Sequence, residues 1–413
     1  MSIFNIVSLF FISNIIFWPF KISIYEYSIR LNIIIISFIC LYLIIKNYKN
    51  INIKYINIYI ISLSYIAILL ISLTGPCENG YIKSILSFPL LLILLICAKG
   101  VSQSASINNW LSLENASIFC ICITVVSILL EIIFPEYFPA QYVYRMGGIY
   151  SGLFDEPSHL GFSLFPCFLI LLASSNNLIR NIGLFSLALC VILSPSSTLL
   201  LEAITISILM VMKMRNFYHL FIILITILII GSTNLLGHSP MDFIDKISQI
   251  YPATNNSNMS SLVYLQGWQD AYANLKNSHG FGLGFNMMGC DPLPATESRL
   301  ILEEHFNAAK LNSQDGSFLL SKGISEFGIF FIFLMLYSLF ILFKVYKIHL
   351  SSSAPALRKV YAIWGMIIFT SLFSMIVRSS SYFTGNFPLL IFALFAVIDS
   401  NRFSFKPVKI AQK

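Results

Sequence analysis

The chain has 413 residues, of which 57% are hydrophobic and only 10% are charged. A soluble domain carries about 25% charged residues, so this composition excludes a chain built of two or three water-soluble domains. The mean hydropathy of +0.82 agrees with that exclusion. The apolar stretches are long and unbroken rather than alternating with a period of two residues, which also excludes an outer-membrane barrel. We therefore predict an all-α protein that crosses a lipid bilayer many times.

The formal net charge of +7 does not indicate nucleic-acid binding, because no basic segment interleaved with aromatic residues occurs in the chain. Neither a phosphate-binding GxxxxGK[ST] loop nor a cysteine and histidine pattern with zinc spacing is present. Six of the eight cysteines lie in apolar runs, where a small buried thiol is the expected role. Cys77 and Cys290 lie in polar segments on the predicted outer side, and we expect them to form a disulfide bond.

About twelve transmembrane helices are predicted in chain order, because a helix needs about 20 mostly apolar residues to cross the hydrocarbon core. These stretches are residues 3–20, 30–46, 55–74, 82–98, 116–134, 159–174, 179–194, 196–212, 216–231, 317–343, 358–377 and 385–399.

The positions of the basic residues predict how these helices are oriented. With the amino terminus in the cytoplasm, 15 of the 25 Lys and Arg residues fall in cytoplasmic connections, and both termini are cytoplasmic. Residues 1–231 then hold nine helices with an outer loop at 135–158. Residues 232–316 form a large outer loop, and residues 317–413 hold three helices and a cytoplasmic tail. A short outer connection follows at 378–384.

The outer loop 232–316 carries eight acidic and four basic residues. Loops of this length are usually functional or disordered, and we favour function. The apolar residues between Leu262 and Leu275 repeat at helical spacing, which predicts an amphipathic helix with Trp268 and Tyr272 on its packed face. On this pattern Asp270 falls outside the packed face. A docking helix without a catalytic role is the alternative.

The densest polar cluster beside a predicted span runs from Arg145 to Gly161. Pro157 and Ser158 are typical of a helix start. A guanidinium and a carboxylate at the membrane boundary are costly unless they pair with each other or with a ligand. We therefore expect Arg145 and Glu156 to be functional.

Three further polar groups lie near the predicted outer face. Arg378 ends the eleventh span, where reaching outward to the interface is its alternative role. Lys322 and Glu326 stand one helical turn apart, and we favour an internal ion pair over a reactive pair. His305 lies in the large loop, where a lone histidine is more often an ordinary surface residue.

Taken together, these features resemble the O-antigen polymerases of the Wzy type and, more distantly, the O-antigen ligases. The segment Arg145–Gly161 is similar to the family's entry to a central helix. Trp268 followed by the glycines of Gly280–Gly284 is similar to its W…GxGxG run, and Asn312–Gly328 is similar to its HN…GxxG stretch. The architecture agrees over nearly the whole chain, and the sharp residue matches cover about a fifth of it.

This resemblance implies a glycosyltransferase of the GT-C class in the bacterial inner membrane. Such an enzyme joins oligosaccharide repeat units carried on undecaprenyl pyrophosphate, as donor and as acceptor, at the periplasmic face. The resemblance implies no metal and no cofactor, and it makes a chain-length regulator protein a candidate partner. Ligase-like members have an arginine where this chain has Tyr264, and a histidine near Asn312, where this chain has Asp315 and His305. These departures weaken the ligase alternative.

The chemistry of a lipid pyrophosphate assigns expected roles to the candidate residues. Bidentate guanidinium contacts suit a multiply charged leaving group, and preplaced cations stabilise the charge that grows as the glycosidic bond breaks. A base must accept the proton of the attacking sugar hydroxyl. The expected catalytic residues are Glu156 as the first choice of base, Asp315 and His305 behind it, and Arg145. The expected substrate-binding residues are Arg145, Arg378, Arg299, Lys322, Trp268 and Tyr272.

Two functions of other classes compete with this reading. A lipid-linked oligosaccharide flippase also has about twelve helices, but transporters usually carry polar sites at the membrane midplane. Here Glu202 is the only ionisable residue clearly within the middle of a span, and the polar residues crowd one face. A non-catalytic scaffold of a polysaccharide assembly complex is the third possibility.

Overall fold

The computed structural model describes residues 5–24, 27–47, 78–137, 149–194, 196–214, 259–290, 293–378 and 381–400. Four predicted features lie outside these residues: the spans 55–74 and 216–231, and the residues Cys77 and Arg145.

Fourteen α-helices and one β-hairpin form the described part of the chain. The helices are α1 (Ile6–Ile16), α2 (Leu31–Asn47), α3 (Glu78–Ser104), α4 (Ile107–Leu111), α5 (Leu113–Ile133), α6 (Pro157–Leu172), α7 (Asn177–Leu193), α8 (Ser197–Met214), α9 (Met259–Asn277), α10 (Glu297–Phe306), α11 (Leu319–Phe327), α12 (Ile329–Ser351), α13 (Pro355–Val377) and α14 (Asn386–Ser400). The antiparallel strands β1 (Lys21–Ile24) and β2 (Tyr27–Arg30) join α1 to α2, and Lys21 pairs with Arg30 across them.

The helical, apolar character predicted from composition is confirmed. Ten of the twelve predicted spans fall on helices of the described residues. Among the described residues, four helical segments are long and apolar enough to cross a membrane: Lys83–Ser104, Ile107–Ile133, Ile329–Ser351 and Pro355–Val377. Six further apolar helices have 10–17 residues, shorter than the about 20 residues of a full crossing.

Helix α6 lies at the centre of the bundle, with contacts to α1, α5, α7, α8 and α13. All but two of its residues are buried, as expected for a helix that is apolar on every side. Helix α12 lies at the periphery and exposes Phe333, Leu336, Phe340 and Phe343. A peripheral stripe of large apolar side chains of this size suits contact with lipid rather than with water.

Ion pairs distinguish two opposite ends of the bundle. At one end, which we call the tail end, Lys99 pairs with Asp399 at 2.8 Å and Lys359 with Glu114 at 2.7 Å. Helix α13 has 23 residues, a length of about 34 Å, so its last residue lies at the other end, which we call the hairpin end. The residues of these two ion pairs, which were predicted to lie on or near the cytoplasmic side of the membrane, do lie at the same end of the bundle. The assignment of the tail end to the cytoplasm stays a prediction.

The predicted tenth span, 317–343, is wrong as a single helix, because the chain breaks at Gly328. This residue has φ of 57° and ψ of −134° and separates α11 from α12. The Gly280–Gly284 segment fills the break. Its Leu283 and Gly284 amides donate to the carbonyls of Ser325 and Glu326 at 2.8 and 2.9 Å, and these bonds satisfy carbonyls that the helix leaves open.

Replacing Gly328 with alanine should destabilise this junction. A Cβ at Gly328 would lie 2.0 Å from the Gly280 carbonyl oxygen, and the left-handed φ adds strain, so Gly328→Ala should cost about 3 kcal/mol or more. A matched control is Gly365→Ala in α13, where the nearest atom to the new Cβ is 3.5 Å away. Thermal unfolding in detergent compares the two, and equal melting temperatures would contradict the account of the break.

Candidate functional site

The pair Glu156–Arg378 is the centre of the candidate site. Glu156 precedes α6 and Arg378 follows α13, yet the Nη2 of Arg378 donates to the Oε2 of Glu156 at 2.7 Å. The side chains are 23% and 32% exposed, so the pair lies at the surface of the hairpin end without entering bulk solvent. Burial disfavours the charge of Glu156, but Arg378 and His159 outweigh it, and the pKa of Glu156 lies below its usual value.

The loop before Glu156 is held by a buried carboxylate that the sequence reasoning missed. The Oε2 of Glu131, at the end of α5, accepts from the amides of Ser151 and Gly152 at 2.9 and 2.7 Å. Gly152 has φ of 60°, and a Cβ there would lie 2.2 Å from the hydroxyl of Ser127. Glu131 therefore fixes the turn that positions Glu156, and an acidic residue at the end of an apolar run was the available signal.

His159 lies in the first turn of α6, beside Glu156 and against aromatic rings. Its Nε2 is 4.0 Å from the Oε2 of Glu156, and its ring lies 5.3 Å from that of Trp18. Trp18 is in turn fixed by a hydrogen bond from its Nε1 to the hydroxyl of Ser163 at 2.8 Å. The His159 Nδ1 is buried and makes no hydrogen bond within the described residues.

The predicted ion pair Lys322–Glu326 is confirmed, at 3.2 Å. Both side chains are buried, and Lys322 also donates to the carbonyl of Gln314 at 2.5 Å. The hydroxyl of Tyr382 donates to the other carboxylate oxygen of Glu326 at 2.8 Å. Burial and the charge of Glu326 raise the pKa of Tyr382, which keeps the phenol protonated as a donor. Asp315, a predicted base, is half-exposed and 4.0 Å from the Lys322 amine.

Arg299 lies within the loop unit formed by α9 and α10 rather than beside Glu156. Its guanidinium pairs with Asp270 at 2.5 Å and also donates to the carbonyl of Ala309. Both charged side chains are buried. These contacts give Arg299 a role in joining α10 to α9, and none of them reaches α6 or α13.

The predicted helix in the loop is confirmed as α9, and Leu262, Val263 and Ala271 of its predicted packed face are buried. The placement of Tyr272 on that face and of Asp270 outside it is wrong. Asp270 is buried, whereas Tyr272 is 69% exposed. Small residues decide the packing: a Cβ at Gly267 would lie 2.6 Å from the Gly316 carbonyl, so only glycine permits this approach to the segment before α11. Pairing with Arg299 makes the burial of Asp270 tolerable.

The pair Asp270–Arg299 predicts a pH dependence of stability. Burial raises the pKa of Asp270 to about 6 from 3.8, against the opposing effect of Arg299. The contribution of Asp270 is therefore fully present below pH 3.8 and lost as the pH rises through about 6, amounting to up to about 3 kcal/mol. Melting temperatures from pH 4 to 8 should show this fall in the wild type and a flatter curve in Asp270→Asn.

The matched control for this experiment is Glu304→Gln, which alters an exposed carboxylate of α10. It should follow the wild-type curve, because an exposed carboxylate has a similar environment in the folded and unfolded chain. Parallel curves for the wild type and Asp270→Asn would contradict the assignment.

Aromatic side chains form one side of α9 near the candidate site. Trp268 is 36% exposed, and its ring lies 5.0 Å from that of Phe318. Tyr264, one turn earlier, donates to the carbonyl of Ile376 at 3.3 Å, two residues before Arg378. Tyr264, Trp268 and Tyr272 follow each other at four-residue spacing. The aromatic side of α9 therefore begins at the end of α13 and continues along the helix.

Two remaining predictions lie away from the pair Glu156–Arg378. His305 is an exposed residue in the last turn of α10, as favoured for a surface histidine. Cys290 forms a disulfide bond, and its predicted partner Cys77 lies outside the described residues.

Three cations at the hairpin end were not singled out from the sequence. Arg30 ends β2, and Lys21 begins β1 directly opposite it. Lys83, on α3, approaches the side-chain oxygen of Gln314 at 3.4 Å and interacts electrostatically with Lys322 and Glu326. The available signal was their position between or at the outer ends of the predicted spans, where few other basic residues lie.

Searches of protein-family models, of curated proteins and of solved structures found no match to this chain.

Proposed function

We propose that this chain is an O-antigen polymerase of the Wzy type, an inner-membrane glycosyltransferase that joins lipid-pyrophosphate-linked oligosaccharide repeat units at the periplasmic face. The arrangement of about twelve spans with a GT-C-like fold is part of this proposal. The observation that carries it is the ion pair Glu156–Arg378 at the hairpin end, a proton acceptor and a guanidinium side by side at the boundary of an apolar bundle.

These two groups match the two charges that the reaction creates. The acceptor sugar hydroxyl attacks the anomeric carbon of the donor, and its proton passes to the carboxylate of Glu156. The bond from the anomeric carbon to the phosphate oxygen breaks, and its electron pair leaves with the pyrophosphate. Arg378 stabilises that developing charge with preplaced N–H donors. Attack opposite the leaving group inverts the anomeric configuration.

Glu156 is ionised at neutral pH, so its carboxylate can accept a proton, and Arg378 stabilises the ionised form and lowers its pKa. Arg378 is only partly exposed and holds one hydrogen bond to Glu156. The remaining N–H groups of its guanidinium can bind phosphate oxygens. Arg145, which precedes Glu156 by eleven positions, is a second guanidinium of the same proposal.

The aromatic side of α9 is the proposed contact for the glycan. Trp268 and Tyr272 present partly exposed rings, and Tyr264 joins their helix to the end of α13. Flat aromatic faces with a polar handle suit sugar rings, which have one apolar face. His305 and Asp315 are the remaining candidates for the base, and both lie on exposed segments.

One observation favours the flippase alternative, since broken helices are typical of transporters. The break at Gly328 is closed, however, because the amides of Leu283 and Gly284 occupy the carbonyls that it exposes. An ion or substrate site would leave such carbonyls free for the ligand. The broken helix therefore supports an architectural role more strongly than transport.

Reconstitution of the purified full chain tests the proposal. The protein receives lipid-pyrophosphate-linked repeat units in liposomes, with chelator and without nucleotide. We expect a ladder of products in steps of one repeat unit. With lipid A core added to a parallel sample, transfer to the core alone would identify a ligase. Translocation without new glycosidic bonds would identify a flippase, and either result would overturn the polymerase assignment.

A further inference from the structure

The β1–β2 hairpin brings two cations to the candidate site. Lys21 and Arg30 face each other across the antiparallel strands, so the hairpin presents both at its base, next to α1 and α2. Arg30 donates to the carbonyl of Trp18 at 3.1 Å, and its guanidinium lies 5.1 Å from the centre of the Trp18 ring. Arg30 is thus fixed relative to Trp18, and the strand pairing places Lys21 opposite it.

A continuous series of contacts joins Arg30 to Arg378. The Trp18 ring that holds Arg30 lies 5.3 Å from the ring of His159. His159 is 4.0 Å from Glu156, which is 2.7 Å from Arg378. The charges of Arg378, Arg30 and Lys21 all act on His159. Three cations from separate elements therefore surround the first turn of α6.

Among the residues that the structure describes, the two hairpin cations lack direct counterions. Within the described residues, no carboxylate lies within 4.0 Å of the charged nitrogens of Lys21 or Arg30. Asp155 and Asp315 interact with Arg30 only over longer distances. Lys21 and Arg30 repel each other without a close carboxylate among the described residues, and a bound anion relieves that repulsion. The buried Nδ1 of His159 adds an unused polar atom at the same place.

We propose that Lys21 and Arg30 form, together with Arg378, a site for a pyrophosphate group beside the first turn of α6. This inference deepens the proposed function, on which it rests for the lipid that carries the pyrophosphate. Three cations favour a pyrophosphate over a monophosphate, because a pyrophosphate carries more negative charge and more acceptor oxygens.

Binding of three probes to the purified full chain tests the site: farnesyl pyrophosphate, farnesyl monophosphate and inorganic pyrophosphate. We expect farnesyl pyrophosphate to bind at least about tenfold more tightly than the monophosphate. Lys21→Gln and Arg30→Gln should each weaken pyrophosphate binding by about tenfold and reduce the preference over monophosphate. Binding of inorganic pyrophosphate with equal affinity would assign the site to the free anion rather than to the lipid headgroup and would overturn the lipid part of the proposal.

Two matched controls separate specific contacts from net charge. Lys276→Gln alters an exposed cation of α9, and Lys347→Gln alters an exposed cation of α12. Both should bind farnesyl pyrophosphate like the wild type. Arg30 also supports Trp18, so its variant is checked by thermal unfolding. Lys21 is exposed, and its variant should keep the fold intact.

The outcomes distinguish this inference from the proposed function. Unchanged pyrophosphate binding in folded Lys21→Gln and Arg30→Gln would overturn the inference, even if polymer forms normally. The two results can also separate in the other direction. If both variants bind farnesyl pyrophosphate more weakly, while the wild-type protein makes no polymer from any lipid-linked repeat unit, the site is supported and the polymerase assignment is overturned. If the control variants lose as much affinity for farnesyl pyrophosphate, the loss is explained by the change in net charge alone. That result would also overturn the inference.

Discussion

Arg378→Ala should slow polymer formation by about 100- to 1000-fold, because removal of one preplaced donor from a developing oxyanion costs about 3–4 kcal/mol. Arg378 is the guanidinium that contacts Glu156 directly, so its loss removes charge stabilisation and the partner that orients the proposed base. Arg378→Lys should recover part of the rate, since an ammonium keeps the charge and loses the planar fork of donors.

Glu156→Gln separates the two roles of the pair. It removes the proton acceptor, so polymer formation should fall by a similar factor, about 100-fold or more. It also releases Arg378 from a carboxylate held at 2.7 Å, so farnesyl pyrophosphate should bind at least as tightly as in the wild type. Arg378→Ala weakens both rate and binding, whereas Glu156→Gln weakens the rate alone.

The control for this pair is Arg358→Ala. Arg358 is an exposed arginine at the tail end of the same helix, with hydrogen bonds to the carbonyl of Ser352. Its variant should polymerise like the wild type. A folded Arg378→Ala protein with an unchanged initial rate would contradict the mechanism. A loss of binding in Glu156→Gln would show that the carboxylate supports the site rather than competing with the ligand.

Lys322→Met should destabilise the protein by about 3–5 kcal/mol, because it leaves the carboxylate of Glu326 buried without its cation. The Lys322 side chain is 4% exposed and that of Glu326 is fully buried. After the substitution, Tyr382 is the remaining close donor to Glu326. One neutral hydrogen bond does not compensate for the desolvation of a carboxylate.

The double variant Lys322→Met with Glu326→Leu should recover most of that stability, because both buried charges are gone. Thermal unfolding in detergent measures both variants, with Lys347→Met as an exposed control on α12 expected within about 0.5 kcal/mol of the wild type. We expect polymer formation to return with stability. A double variant that is as stable as the wild type and makes no polymer would assign Lys322 to substrate binding instead of to the fold.

Composition and period were sufficient to predict the helices, because long apolar runs have few other structures available in a membrane. They were not sufficient to predict the break at Gly328. The mostly apolar run 317–343 continues on both sides of Gly328, and the break depends on backbone contacts with Gly280–Gly284, which are distant in sequence. The packed face of α9 was mispredicted in part for a similar reason. Gly267 and the pair Asp270–Arg299 determine how α9 packs, and a hydrophobicity scale does not predict that such residues are buried.

The candidate site was partly predictable. Glu156, Arg378 and the pair Lys322–Glu326 stand out in sequence because charges at the ends of apolar runs are costly and need a reason. The contact between Glu156 and Arg378 was not predictable, since 222 positions separate them. Lys21 and Arg30 were missed because each is an ordinary residue of a short connection, and only the strand pairing places them together.

A density map of the full chain in a lipid nanodisc with farnesyl pyrophosphate tests the central claim most directly. We expect the pyrophosphate at the first turn of α6, within hydrogen-bond distance of the Arg378 guanidinium and on the side that faces Arg30. A pyrophosphate bound elsewhere, with Arg378 and Arg30 directed into bulk solvent, would contradict the claim that these cations exist to neutralise a departing pyrophosphate.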